Sequence, residues 1–139
     1  MKDSGYKYLE QTADARIFVW ADDFISLLKE AAQGVINLII DTKKIEPKAE
    51  IDIEIEGKDN EEILFNLLSE ILYIIDSKSF IMKEITMIDI NNGTAIIHLI
   101  GDNTENYVFQ GEVKAITYHD FFVERTLKGN YTSQVVVDL

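Results

Sequence analysis

The clearest alternation of apolar and polar positions lies in residues 49–57, with the sequence AEIDIEIEG. Three isoleucines alternate there with three acidic residues: Ile51, Ile53 and Ile55 against Asp52, Glu54 and Glu56. Successive side chains of a strand point to opposite faces of a sheet, so this period of two predicts a half-buried strand. Residues 13–20 show the same period, with one apolar face made of Ala13, Ala15, Ile17 and Val19.

Apolar residues at spacings of three and four predict two helices. The first begins at a cap formed by Asp22 or Asp23 and continues to about Ile40. The second lies in the segment DNEEILFNLLSEILYIIDSK, where Asp59 and Glu62 form a capping-box pattern.

The other segments predict strands joined mainly by tight turns. An Asn-Asn-Gly turn at 91–93 is typical of a hairpin between its flanking strands. The expected elements are strands at 80–90 and 94–101, a polar loop at 101–111, a long strand at about 113–126, and a closing strand at 131–138. Two helices and about six strands indicate an α+β protein. We expect a two-layer sandwich, with two helices packed on one face of a mixed, mostly antiparallel sheet.

The composition narrows the possible functions. At 139 residues and 47% hydrophobic content, the chain is expected to form a single globular domain over residues 1–139. Its net charge of −12 argues against direct binding of nucleic acid, which needs a basic surface. A metal site, a basic protein partner or simple solubility all stay compatible with this charge. The absence of cysteine excludes disulfides and thiolate chemistry. Without a signal-peptide pattern or a long apolar run, we expect a cytoplasmic protein that has no membrane contact.

Standard catalytic motifs are missing, and the candidate groups are scattered. They are Asp14, Asp41, the segment around Lys114 and His119, and the penultimate Asp138. Each also has an ordinary structural explanation. Asp14 could pair with Arg16, Asp41 could cap a turn, and the others could be solvated charges. His98, in the middle of a hairpin strand, is interpreted as a structural, half-exposed residue.

Alternation along the strand at 113–126 divides the candidates it carries between two faces. Lys114, Ile116, Tyr118 and Asp120 would share one face, and Thr117 and His119 the other. Lys114 and His119 should therefore point away from each other unless a β-bulge intervenes.

Four segments together resemble the archease family over essentially the whole chain. They are YLEQTADARIFVWADD, DTKKIEP, GEVKAITYHDFFVE and the final VVVDL, in this order. The resemblance implies an activator of the GTP-dependent tRNA-splicing RNA ligase of the RtcB type. Such a protein promotes guanylylation and repeated turnover of the ligase and joins no RNA itself.

The resemblance also implies a divalent-metal site, most often calcium, with magnesium and manganese as alternatives. Its ligands would be Asp14, Asp138 and an oxygen of Leu139. Hard cations prefer such oxygen ligands. Because these ligands are few, most of the coordination shell of the cation is left open. Lys114 matches a family lysine expected to act in ligase activation. Asp41 and His119 are possible neighbours of the site.

One position departs from the family pattern. Many archeases have histidine where this chain has Gln11, and glutamine cannot take up a positive charge near neutral pH. Two other functions stay open beside the ligase activator. One is a chaperone-like protein-binding module; the other, ranked below it, is a metal-dependent phosphoester hydrolase that uses Asp14, Asp138 and Lys114.

Overall fold

The structure, a computed structural model, describes residues 3–11 and 14–139, with only the backbone at positions 10 and 11. In chain order the elements are β1 (Gly5–Gln11), β2 (Asp14–Ala21), α1 (Phe24–Ile36), β3 (Ala49–Glu56), α2 (Asn60–Ser77), β4 (Phe80–Asn91), β5 (Thr94–Asn103), β6 (Ala115–Arg125) and β7 (Tyr131–Asp138). Short 3-10 helices cover Thr42–Lys44 and Thr104–Asn106. None of the helices described here is long and apolar enough to cross a membrane.

The strands form two sheets, and every strand pair described is antiparallel. The four-stranded sheet has the order β1-β2-β7-β6, and the three-stranded sheet has the order β3-β5-β4. Helix α1 contacts β1, β2, β7 and β4, while α2 contacts β6, β3 and β4, so each helix packs on both sheets. One hydrophobic core joins all these elements. The predicted α+β class with helices packed on antiparallel strands is confirmed, and the division into two sheets is the added detail.

Helix α1 begins as predicted but ends earlier. Asp23 is the N-cap, and its side chain accepts a hydrogen bond of 2.7 Å from the Ser26 amide. The expected end at Ile40 was wrong, because Asn37 stops the helix four residues sooner. The Asn37 amide group donates to the Gln33 carbonyl and to the Tyr6 hydroxyl, while its oxygen accepts from the Thr42 amide at 2.9 Å.

Helix α2 follows the prediction closely. Asp59 caps it by accepting a 2.9 Å hydrogen bond from the Glu62 amide. Its buried stripe consists of Ile63, Leu64, Leu67, Leu68, Ile71 and Ile74. The hairpin between β4 and β5 is also confirmed. Asn92 and Gly93 have φ values of 51° and 79°, the left-handed backbone that a two-residue turn of this kind requires.

Two parts of the chain differ from the prediction. Strand β1 was missed, and Ala13, assigned to the next strand, lies outside the described residues. Tyr6 and Tyr8 face α1, where the Tyr8 hydroxyl donates to the Gly34 carbonyl at 2.7 Å. Burial raises the pKa of this hydroxyl well above its usual range. Because its anchors are tyrosines rather than alternating aliphatic residues, β1 has a weak sequence pattern.

The predicted loop at 101–111 begins too early, because β5 continues to Asn103. The cause is Asp102, whose carboxylate is buried and held by hydrogen bonds. It accepts from the Tyr107 hydroxyl at 2.7 Å, from the Asn103 amide and from the Asn106 side chain. These bonds, led by the one from Tyr107, lower the pKa of Asp102 below its usual value. Tyr107 in turn accepts from the Glu46 amide, which ties the loop to the start of β3.

This network predicts an acid-dependent stability. Because the pKa of Asp102 is lowered in the folded protein, its stabilisation is present above about pH 4 and is lost as the pH falls further. Asp102→Asn should lower the melting temperature by about 3–6 °C at pH 7 and by much less at pH 3. Thermal unfolding followed by circular dichroism at both pH values measures this. Asp76→Asn, at an exposed position near the end of α2, is the matched control, and an equal response of both variants to pH would contradict the prediction.

Candidate functional site

The pairing of β2 with β7 places Asp14 directly beside Asp138. Their Cα atoms are register partners at the last rung of the two strands. The next rung joins two fully buried residues, Ala15 and Val137, which face the core. Since side chains alternate along a strand, the two aspartates lie on the outer face of the four-stranded sheet. Directly opposed residues have Cβ atoms about 4.5–5.5 Å apart, so a shared cation is within reach of both carboxylates.

Lys114 is joined to this rung through its backbone. Its amide donates a 2.8 Å hydrogen bond to the Asp138 carbonyl, just before β6 begins. The exposed Lys114 side chain lines a groove of about 760 Å³ beside the end of α2. Two exposed acids, Asp76 and Glu112, also line the groove, beside the apolar residues Ile39, Leu72, Ile75, Phe109 and Val113. The lysine therefore belongs to the groove, and its main chain supports the acidic pair.

Strand β6 contains a large bulge that the alternation pattern did not predict. Thr117 pairs with Val136 and Phe122 with Gln134, so β6 advances five positions while β7 advances two. Within the bulge, Asp120 has a φ of 54°, a left-handed backbone in which aspartate is better tolerated than most residues. The Gln134 side chain stabilises it by donating to the Asp120 carbonyl at 2.9 Å. The prediction that Asp120 shares a face with Ile116 is therefore wrong, because the bulge turns its side chain to the outer face. Tyr118 stacks on Phe65 of α2 and so lies on the core side with Ile116, as predicted.

The bulge brings the Asp120 carboxylate to Arg16 on β2. Arg16 Nη1 lies 2.9 Å from Asp120 Oδ2, and both side chains are partly exposed. His119 Nε2 lies 3.3 Å from the same carboxylate, and its amide donates to the Thr117 hydroxyl. The ordinary explanation that pairs Asp14 with Arg16 is thus wrong, since the arginine pairs with Asp120 instead. Sequence reasoning missed this pair because its members lie on strands whose contact depends on the bulge.

Asp41 has a local structural role. It is the N-cap of the 3-10 helix Thr42–Lys44, and its Oδ1 atom accepts a 3.0 Å hydrogen bond from the Lys43 amide. Of the other motif residues, Thr12 and the side chain of Gln11 lie outside the described residues. The substitution of histidine by Gln11 therefore has no structural account.

The donor atoms at Asp14 and Asp138 fit a hard cation. Two carboxylates and an oxygen of Leu139 provide oxygen only, which suits calcium, magnesium or manganese and not a soft metal. Within residues 3–11 and 14–139, no group of three or more acidic, histidine or cysteine side chains is placed to hold a metal. Water, backbone oxygens or a partner would have to complete the shell.

The fold and the site define an α+β protein with two aspartates at the last rung of the central strands of its larger sheet. The model of the Archease protein family matches residues 6–139. This chain belongs to the archease family. It is 34% identical to the archease of Pyrococcus furiosus, with 96% of this chain and 98% of that protein aligned. The archease of Methanopyrus kandleri is 37% identical, with 96% and 99% aligned.

Two solved structures share the fold. The solution structure of protein 1598 from Methanobacterium thermoautotrophicum has a TM-score of 0.75 at 24% identity and covers 97% of this chain and 99% of its own. The crystal structure of an archease from Thermotoga maritima, described as a possible chaperone, has a TM-score of 0.68 at 21% identity and covers 96% of both chains.

Proposed function

We propose that this protein is a non-catalytic activator of a GTP-dependent, RtcB-type tRNA-splicing ligase. In this role it promotes ligase guanylylation and multiple turnover. The observation that carries the proposal is the placement of Asp14 beside Asp138 in a chain of the archease family. Residues far apart in sequence converge there on a single rung, where they have no role in the buried core.

The acidic pair is proposed to bind a divalent cation, most simply calcium, with an oxygen of Leu139 as a further ligand. Magnesium and manganese fit the same oxygen donors. When bound, the cation supplies positive charge with open coordination positions. Asp14 and Asp138 would hold it from neighbouring strands, which the pairing of β2 with β7 keeps together. A site so incompletely surrounded is suited to completion by atoms of the ligase.

Lys114 is proposed to contact the ligase from the adjacent groove. Its exposed ammonium group is a hydrogen-bond donor in a groove that also carries Asp76 and Glu112, and the apolar side chains of the groove offer a contact for a partner side chain. The hydrogen bond from its amide to the Asp138 carbonyl connects groove and acidic pair within one segment. One partner could therefore contact both at once.

The overall charge supports an encounter with a basic partner. A ligase that handles RNA needs a basic surface, and a chain with a net charge of −12 is steered towards it. The same charge opposes direct contact with RNA phosphates, so no nucleic acid is expected to bind this protein.

A chaperone-like role is the second candidate. It is favoured by the related Thermotoga maritima archease, which is described as a possible chaperone. Suppression of thermal aggregation of unrelated proteins at equimolar ratio would support it, whereas an effect confined to the ligase supports the activator.

A phosphoester hydrolase ranks lower. His119, the candidate base, is exposed, and its Nε2 lies 3.3 Å from Asp120 Oδ2. Hydrolysis of nucleotides or cyclic phosphates by the purified protein alone would favour this alternative.

Asp138→Ala tests the activator proposal. Because it removes half of the acidic pair at an exposed position, it should leave the fold intact, weaken calcium binding at least about tenfold, and reduce product per ligase at limiting ligase to the level without activator. Calorimetric calcium titration and ligation assays with a cognate ligase measure the two effects. Glu124→Ala, on the outer face at the far end of the same sheet, is the control. Full activation by a variant that no longer binds calcium would show that activation of the ligase does not depend on the metal.

Asp120→Ala tests whether the ion pair of Asp120 with Arg16 keeps the arginine away from Asp14 and Asp138. The change frees Arg16, which lies two residues from Asp14 on the same face. Its guanidinium can then reach the acidic pair and compete with the cation, so calcium affinity should fall by about threefold to tenfold. The double variant Asp120→Ala/Arg16→Gln should regain wild-type affinity. Equal affinity of the single variant and the wild type would contradict this role of Asp120.

A further inference from the structure

The outer face of the three-stranded sheet combines apolar and acidic columns. Along the central strand β5, the residues of this face are Ile96, His98 and Ile100, and Ile96 is 40% exposed. On β3 their register partners are Glu54, Asp52 and Glu50. On β4 their register partners are Asp89, Met87 and Glu84, and Met87 is 59% exposed. An apolar stripe, made of Ile96 and Ile100 on β5 and Met87 on β4, thus lies among carboxylates of β3 and β4.

Apart from His98, the ionisable side chains described on this face are acids. Its exposed acids are Glu50, Asp52, Glu54, Glu56, Glu84 and Asp89, and no lysine or arginine occupies a described register position between them. The opposite face of the sheet packs on the core through Ile53, Ile97 and Leu99. In the part of the chain that the structure describes, nothing covers the outer face.

Two of these acids already hold the imidazole of His98. The ring nitrogens of His98 lie 2.5 Å from Asp52 Oδ1 and 2.8 Å from Glu50 Oε1. Both hydrogen bonds, the one to Asp52 first, raise the pKa of His98 and favour the imidazolium. The acids themselves stay about two-thirds exposed, with 67% and 68% of their side-chain surface free. The β3 column therefore holds a basic side chain from the neighbouring strand, and its carboxylates have acceptor capacity left.

We propose that this face is a docking surface for a basic segment of a partner protein, in which lysine or arginine side chains flank apolar ones. The two acidic columns lie about two strand spacings apart, roughly 10 Å, so a segment placed over β5 can reach both with long basic side chains. Its apolar residues would cover Ile96, Ile100 and Met87. The proposal is independent of ligase activation, because the face lies on the other sheet from Asp14 and Asp138.

Charge complementarity selects this occupant over the alternatives. Nucleic acids and anionic membranes are repelled by six carboxylates. A second copy of the same face would oppose acid to acid and is disfavoured for the same reason. An uncharged apolar partner would leave the carboxylates partly desolvated without partners, which is unfavourable. A basic segment with apolar residues can pair with the carboxylates of both columns and also cover the apolar stripe.

The probe is a nine-residue, end-capped, fluorescently labelled peptide of alternating lysine and isoleucine, titrated into the full chain and followed by anisotropy and by amide chemical shifts. A matched peptide has serine in place of isoleucine. Binding of the first peptide should shift amides of β3, β4 and β5, weaken with added salt, and exceed binding of the serine peptide by about tenfold. Equal affinities of the two peptides, or shifts confined to other elements, would overturn the proposal.

Charge reversal gives the second arm. Glu54→Lys/Asp89→Lys changes both neighbours of Ile96 and should weaken binding of the lysine–isoleucine peptide at least about tenfold. Glu105→Lys/Glu124→Lys alters the net charge equally away from this face and should change affinity less than about threefold. An equal loss of peptide affinity in both variants would show that only the overall charge matters and would contradict the proposal.

A third variant keeps every carboxylate. Met87→Thr/Ile96→Thr places strand-compatible residues in the stripe and should lower the affinity of the lysine–isoleucine peptide to that of the serine peptide. It keeps the test valid if the charge-reversal variant fails to fold. Binding of single-stranded RNA or phosphatidylserine vesicles to the wild type, or concentration-dependent shifts of the Ile96 and His98 amides without peptide, would identify a different occupant and overturn the proposal.

Discussion

The antiparallel pairing of β2 with β7 is the interaction on which the rest of the structure depends. It joins segments from the two ends of the chain at the centre of the larger sheet, where Ile17, Val135 and Val137 are fully buried. Because side chains alternate along both strands, the register that buries these residues also places Asp14 and Asp138 on the outer face. A slip of one residue would move aspartates into the core and valines into solvent. Packing of the core therefore enforces the geometry of the acidic pair.

The helices divide the surface into regions with different chemistry. Both sheets use their inner faces to pack on α1 and α2, which leaves two outer sheet faces. The face of the larger sheet carries the Asp14–Asp138 pair and, next to it, the ion pair of Arg16 with Asp120. The face of the smaller sheet carries the apolar stripe between acidic columns. The net negative charge is thus arranged on separate surfaces, each suited to a basic or cationic partner.

The bulge in β6 determines the position of one charged side chain, the Asp120 carboxylate. Asp120 adopts a positive φ, and its backbone is stabilised by Gln134. The result is a carboxylate that holds Arg16, the basic residue nearest to Asp14 along its strand. Without the bulge, strict alternation would direct Asp120 to the core side of the sheet. The outer face therefore depends on one irregular segment as much as on its regular strands.

The sequence by itself determined the helices, most of the strands and the α+β class, because amphipathic periods of 3.6 and two residues are local properties of the chain. The sequence also indicated caps at Asp22 or Asp23 and at Asp59, because capping residues are local signals too. The likeness of four segments to the archease family also singled out Asp14, Asp138 and Lys114 as candidates. Only the tertiary structure decided the division into two sheets, strand β1, the buried network of Asp102, the groove that Lys114 lines, and the pairing of Arg16 with Asp120. These features depend on contacts between residues distant in sequence, and on a bulge whose geometry no local pattern of residue types encodes.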